Sequence, residues 1–257
     1  MRVSPLQPLG IELLADEPRT KLETVDAGEL TARLTERRFA VLRGFDSPST
    51  EAVLAFCRRF GEILEWEFGA VNELKTRSEA RNYLYTPGAV PFHWDGAFVG
   101  RVPHYIFFHC AEAPPSGRGG ETLFCDAVQL LERTGSDLRR QWERIRITYE
   151  TEKVVHYGGT FTAAMVGRHP VTGKAVLRYA EPVEDLNPVR LSIEGMTGEE
   201  QSRFVSHMRT QLYDPAVCYA HAWRKGDIVL ADNHALLHGR RAYDPSAPRH
   251  LRRVNIL

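Results

Sequence analysis

In the stretch FHWDGAFVGRVPHYIFFHCAEAPPSGRGGETLFC, residues 92–125, apolar and aromatic residues come in short runs broken by Gly and Pro. That pattern reads as strands joined by turns. It continues downstream in RIRITYETE (144–152), AVLRYAE (175–181), VCYAHAW (217–223) and DIVLADN (227–233). Upstream the period is different. DAGELTARLTERRFAVLRGFDSPS (26–49) reads as a helix followed by a short strand, Ala40–Leu42. STEAVLAFCRRFGE (49–62) sets Val53, Leu54, Cys57 and Phe60 at helical spacing behind Ser49 and closes at Gly61. Further helices are expected near 126–143 and 197–212. Many short strands with few helices predict a mainly β fold, a sandwich, barrel or jelly roll with flanking α-helices. No G-x-G-x-x-G follows a strand, so a dinucleotide-binding parallel sheet has no support. One domain spanning 1–257 is expected.

Composition narrows the function classes. The 257 residues are 43% hydrophobic and 26% charged, ordinary for a globular enzyme or binding domain. Lys+Arg and Asp+Glu are 33 each, so no basic excess points to nucleic acid. No apolar run is long enough to span a membrane, and MRVSPLQPLG has no apolar signal core, so a cytoplasmic location is expected. Cys57, Cys110, Cys125 and Cys218 are scattered with no C-x-x-C pair, which suits reduced thiols better than disulfides or structural zinc. A small-molecule substrate is expected, and the oligomeric state is not legible.

His93 and Asp95 stand two apart, and on a strand they point to one face. Alone, an H-x-D pair is equally the polar side of a half-exposed strand. The C-terminal stretch WRKGDIVLADNHALLHGRRAYDPSAPRHLRRVNIL (223–257), with His234 and His238, changes that reading. A mononuclear iron(II) that activates oxygen needs three ligands on one face, and two imidazoles with one carboxylate supply them. The third ligand must come from a distant strand folded alongside, which a closed or sandwiched β fold provides. The open positions suit a 2-oxo acid, whose far carboxylate needs a planar guanidinium fork. Arg249 follows His238 after a turn at DPSAP and a return strand, which favours His238 over His234 as the third ligand.

H-x-D, then GGETLF (119–124), then W-x-x-GD-x-x-x-x-DN-x-x-x-LHGR (223–240) and a final arginine-rich strand together resemble the TauD/TfdA family of iron(II)- and 2-oxoglutarate-dependent dioxygenases. The resemblance runs from about VLRGF (41–45) to the end. It implies a double-stranded β-helix, a cupin-like jelly roll, with Fe(II), 2-oxoglutarate and O2 as cofactor and co-substrates. It also implies that His93, Asp95 and His238 bind iron as the catalytic centre. Thr122 and Arg249 would hold the distal carboxylate of 2-oxoglutarate. Arg253 would contact either its inner carboxylate or the anionic group of the substrate. An intact Asp95 argues against a halogenase of this fold, in which a small residue takes that position.

FGEILEWEFGAVNEL (60–74), HWDGAF (93–98), CYAHAWRKGDIVLADNHALLHGRRAY (218–243) and APRHLRRVNI (247–256) look most like the PvcB-type, isonitrile-processing branch of the family. That narrower resemblance implies an amino-acid isonitrile such as tyrosine isonitrile as substrate, with decarboxylation-assisted desaturation to a vinyl isonitrile. Hydroxylation of a free or carrier-bound amino acid is the alternative reaction. A non-catalytic jelly-roll binding protein and an H-x-D…H zinc hydrolase are alternatives of other classes, and a hydrolase has no need of Arg249. Trp66, Phe68, Trp94, Phe98 and Tyr105 flank the proposed site and are candidates for an aromatic substrate wall, with Phe98 and Arg253 as candidate substrate contacts. The stretch 76–91 departs from the family pattern.

Overall fold

Alternation along the strands sets the layers. On Phe39–Arg43 the side chains of Ala40 and Leu42 face one way, and those of Phe39 and Val41 face the other. A strand apolar on both faces must be covered twice. The chain does this with helices on one side and a second sheet on the other. The computed structural model describes all 257 residues except Ser47, Phe68, Val155 and His156.

In chain order the strands are β1 (Arg2–Pro5), β2 (Ile11–Leu14), β3 (Phe39–Arg43), β4 (Asn72–Lys75), β5 (Val90–His93) and β6 (Tyr105–Glu112). Next come β7 (Thr122–Asp126), β8 (Arg146–Val154), β9 (Tyr157–Ala164), β10 (Val166–Arg168) and β11 (Ala175–Leu177). The last are β12 (Arg190–Ile193), β13 (Cys218–His221), β14 (Ile228–Asp232), β15 (Leu236–Arg240) and β16 (His250–Ile256). The α-helices are α1 (Ala27–Arg37), α2 (Thr50–Cys57), α3 (Ala127–Arg133), α4 (Ser136–Trp142) and α5 (Gly198–Leu212).

Seven strands form one sheet in the order β1-β2-β3-β14-β6-β16-β4, and four form a second in the order β13-β7-β15-β5. Leu30 and Leu34 of α1 and Val53 and Phe56 of α2 pack on the outer face of the large sheet, against Leu42, Phe107, Leu230 and Val254. The inner face presents Val41, Phe108, Val229 and Leu251 to Phe124 and Leu236 of the small sheet. The small sheet's other face, with Val90, Phe92, Leu123 and Leu237, packs on Tyr149, Leu191 and Leu212 from the β12-β8-β9 layer and α5. Two facing sheets built largely of antiparallel pairs are the jelly roll expected from the sequence. Among the described residues no helix is long and apolar enough to cross a membrane.

Two helix boundaries differ from expectation. The helix expected near 126–143 is two, because Thr134 turns extended (ψ 130) and Gly135 starts α4 afresh. The amphipathic helix expected over 49–62 keeps its α geometry only for Thr50–Cys57. Beyond it the Arg59 and Phe60 N–H groups reach back three residues, to the Phe56 and Cys57 carbonyls, in a tighter turn.

Candidate active site between the two sheets

Period-two alternation on β5 sends Val90 and Phe92 to the outer core, which leaves His93 to face the large sheet. On β15, Leu237 faces the outer core, and His238 lies directly opposite His93 in the antiparallel pairing. Gly239 makes this close pairing possible: a Cβ there would lie 2.7 Å from the Val90 carbonyl oxygen. Gly96 does the same for the turn after Asp95. It has φ +94°, and a Cβ would lie 2.3 Å from the Arg101 carbonyl oxygen.

The result is a set of three converging atoms. Asp95 Oδ1 is 3.8 Å from His93 Nε2 and 3.7 Å from His238 Nε2, and the two rings are 4.3 Å apart by their centroids. His93 Nδ1 lies 2.9 Å from the Pro91 carbonyl oxygen, so the proton sits on Nδ1 and the Nε2 lone pair faces Asp95. His238 Nε2 is buried and, among the described residues, accepts or donates no hydrogen bond. Burial holds both imidazoles below their ordinary pKa, His238 to about 3, so both are neutral at pH 7. Burial also pushes the Asp95 carboxyl up, but Arg253, the two imidazoles and the Asn255 amide outweigh it and keep it ionised. Two neutral imidazoles and one carboxylate, with an orphaned ring nitrogen among them, fit a divalent iron and leave its other positions open.

Two cavities meet at these atoms. One is bounded at its ends by His93 and His238 and by Thr122 and Arg249, with Leu74, Phe108 and Leu251 among its apolar sides. Arg249 is 6% exposed and donates from Nε to the Gly120 carbonyl at 3.0 Å and from Nη2 to Thr122 Oγ1 at 3.4 Å. Trp223 Nε1 donates to the same hydroxyl at 2.9 Å, which fixes it. Burial and the nearby Arg240 lower the Arg249 pKa to about 9. A buried guanidinium with only neutral acceptors is a site for a carboxylate.

The second cavity is walled by Trp66, Tyr83, Trp94, Phe98 and Tyr149 and reaches Asp95. Of the aromatic residues expected there, Trp66, Trp94 and Phe98 line it. Tyr105 does not: it belongs to the core beneath α1 and α2, with its ring against Phe60. Phe68 lies outside the described residues. Arg253 borders both cavities, and its Nη1 is 3.2 and 3.1 Å from the two Asp95 oxygens. Its Nε is buried without a partner among the described residues, a donor still available to an anion.

Some contributors were not singled out from sequence. Arg240, buried on β15, donates to the carbonyls of Tyr83, Leu84, Thr86 and Gly88 and so pins the divergent stretch 76–91 over the cavities. Asn233 accepts the Asp95 N–H at 3.0 Å and donates to the Asp95 and Pro103 carbonyls. The DN and GR of the long motif were the available signal, since both flank His238 at fixed spacing. His234 lies elsewhere. Its Nδ1 accepts from Arg178 at 2.8 Å, and its ring packs near His104 and His169.

Residues 2–255 match the family model for the taurine catabolism dioxygenase TauD, TfdA family. The chain is 44% identical to the 3-((Z)-2-isocyanoethenyl)-1H-indole synthase of Fischerella ambigua, over 99% of this chain and 95% of that protein. It is 35% identical to the tyrosine isonitrile desaturase of Pseudomonas aeruginosa, over 100% of this chain and 92% of that one. The structure of PvcB, an Fe, alpha-ketoglutarate dependent oxygenase from an isonitrile synthetic pathway, superposes with a TM-score of 0.82 at 34% identity, covering 99% of this chain and 91% of that one. With its two-sheet frame, the chain belongs to the TauD/TfdA family of iron(II)- and 2-oxoglutarate-dependent dioxygenases.

Proposed function

We propose that this enzyme desaturates an aromatic amino-acid isonitrile, such as tyrosine isonitrile, with loss of the substrate carboxylate. The observation that carries the reading is the position of the His93–Asp95–His238 cluster between two different cavities. One ends on a buried guanidinium that lacks a carboxylate, and the other is an aromatic chamber. In this reading His93, Asp95 and His238 hold iron(II). Arg249 and Thr122 take the far carboxylate of 2-oxoglutarate. Trp66, Trp94 and Phe98 flank the substrate ring, and the free Nε of Arg253 meets a carboxylate. When bound, iron and 2-oxoglutarate supply the power to remove hydrogen from a C–H bond at the expense of O2. The protein orients the substrate and keeps water out.

The substrate class is supported by the relatives, two of which carry an isonitrile product or substrate in their names. The overall change balances as isonitrile acid plus 2-oxoglutarate plus O2 giving the alkenyl isonitrile, succinate, two CO2 and water. Because β5, β15 and β16 jointly build the site, the reading takes the chain as one domain. The four free cysteines suit a reducing cytoplasm.

The test is incubation of the purified chain with iron(II), 2-oxoglutarate, O2 and either tyrosine or tryptophan isonitrile, followed by mass spectrometry. A product lighter by CO2 and two hydrogens is expected. A product heavier by one oxygen would replace desaturation with hydroxylation. Succinate formation that neither isonitrile stimulates would remove the isonitrile reading.

A further inference from the structure

The Asp95 carboxylate has a partner that the chemistry described so far does not use. Asn255 lies two residues beyond Arg253 on β16, so both side chains emerge on the face toward the site. It is 1% exposed and donates from Nδ2 to Asp95 Oδ2 at 2.8 Å. Its Oδ1 accepts the indole N–H of Trp66 at 3.2 Å. An amide engaged at both ends has one orientation, because the flipped form would set oxygen against carboxylate and N–H against N–H. Trp66 is itself held. The Leu64 N–H bonds to the Asn255 carbonyl at 2.9 Å, and Trp66 and Gly69 exchange backbone hydrogen bonds of 3.2 and 2.9 Å. The Trp66 side chain lines the aromatic cavity. One hydrogen-bonded chain therefore runs from the cavity wall to the carboxylate.

The two carboxylate oxygens are otherwise poorly distinguished, since Arg253 Nη1 lies at nearly equal distance from both. Asn255 breaks the tie by occupying Oδ2, and Oδ1 is left facing the two imidazole nitrogens. We propose that Asn255 is a positioning residue that presents Asp95 through Oδ1 alone, and that Trp66 ties this position to the wall of the aromatic cavity. The inference rests on the reading of His93, Asp95 and His238 as the metal centre. It adds to that reading a route by which whatever presses on Trp66 reaches the carboxylate.

Cobalt(II) titration of the full chain, followed by its visible absorption, tests this without turnover. Asn255→Ala is expected to weaken cobalt binding about 10- to 100-fold, as loss of an outer partner of a ligand does, and to change the absorption bands as the carboxylate rotates. A merely structural asparagine would lower thermal stability and leave the bands unchanged. Trp66→Phe keeps an aromatic ring in the wall and removes the N–H together with the five-membered part of the indole, so it carries the test even where Asn255→Ala does not fold. It is expected to weaken cobalt about fivefold and to shift the bands in the same direction. Wild-type affinity and bands in both variants, with cobalt lost from Asp95→Ala, would overturn this inference alone. Cobalt retained by Asp95→Ala would overturn the metal centre and this inference with it.

Discussion

Among the described residues two clusters of histidine and aspartate lie within this fold, alike in composition and different in their hydrogen bonding. In His93, Asp95 and His238, the carboxylate oxygen is 3.7 and 3.8 Å from two ring nitrogens, and His238 Nε2 has no partner. In His104, His169 and Asp232, His169 Nε2 lies 2.8 Å from Asp232 Oδ2. His169 Nδ1 meanwhile accepts the N–H groups of Val171 and Thr172, each at 3.2 Å. Those bonds fix the His169 tautomer: Nδ1 is bare, and Nε2 carries the proton that Asp232 accepts. To ligate a metal through Nε2, the ring would have to move that proton to Nδ1 and give up the Val171 and Thr172 N–H groups. Asp232 is also occupied on its other oxygen by the His234 and Ala235 N–H groups. In the second cluster His169 and Asp232 form a satisfied pair that braces the turn before β15, with His104 Nε2 3.8 Å from Asp232 Oδ2, whereas in the first no such bond ties the carboxylate to either ring. Residue types alone do not separate a metal centre from a brace; the count of unspent lone pairs does.

The sharpest way to break this contrast is to delete a histidine from each cluster. His238→Ala and His93→Ala are expected to abolish metal binding and succinate formation while the protein stays folded, and Asp95→Ala to abolish both. His234→Ala should keep iron. His169→Ala should also keep iron but lower stability by about 2–3 kcal/mol, the scale of a buried hydrogen bond to a charged group. Iron titration and urea melts of the five variants measure both quantities. Metal loss from His234→Ala with retention in His238→Ala would move the third ligand from His238 to His234.

The first cluster was legible in the sequence because metal chemistry demands particular residue types at strand spacing. H-x-D at 93–95 and LHG at 237–239 carry that demand in a few adjacent positions, and the strand runs around them predicted the jelly roll. Asn255 was not legible. Its partner Asp95 is 160 residues away in the chain, and an asparagine near a terminus carries no local signal. Arg240 was hidden for a related reason, since its role is to collect four backbone carbonyls from a stretch that departs from the family pattern. At the other end, β1 was missed because Pro5, Pro8 and Gly10 interrupt RVSPLQPLG, and β2, the four residues IELL, joins the sheet by a parallel pairing with β3 that no local pattern announces.

A second contrast is between the charges around the two ends of the first cluster. Arg253 is already paired with Asp95, whereas among the described residues Arg249 donates to a carbonyl and a hydroxyl and has no carboxylate partner. Arg249→Ala is therefore expected to weaken 2-oxoglutarate by roughly 2–5 kcal/mol, about 30- to several-thousand-fold, while leaving metal affinity near wild type. Thr122→Val should act in the same direction by about 1 kcal/mol. Calorimetric titration of 2-oxoglutarate into the metal-loaded protein reads both. Unchanged co-substrate affinity in Arg249→Ala would show that the bare guanidinium serves some other anion.

The last expected effect belongs to His234, which packs beside the second cluster, and is one of pH. Burial first, then the Arg178 guanidinium, lowers the His234 pKa to about 4, against the opposing pull of Asp232 and with His104 and His169 adding to the depression. An unfolded histidine titrates near 6.5. Between pH 6.5 and 4 the unfolded chain therefore binds a proton at this residue that the folded chain refuses. Stability must rise with pH across that window, be fully present above it, and fall as the solution is acidified. His109, lowered to about 4 by burial and by Arg252, adds to the same slope, so His234 accounts for only a share. His234→Gln keeps a polar side chain beside Arg178 but cannot titrate. Urea melts at intervals from pH 7.5 to 4.5 should give a shallower loss of stability for this variant than for wild type, by less than one proton. Equal slopes would mean that Arg178 moves away and lets the ring protonate without cost, and the second cluster would then be a looser brace than its hydrogen bonds imply.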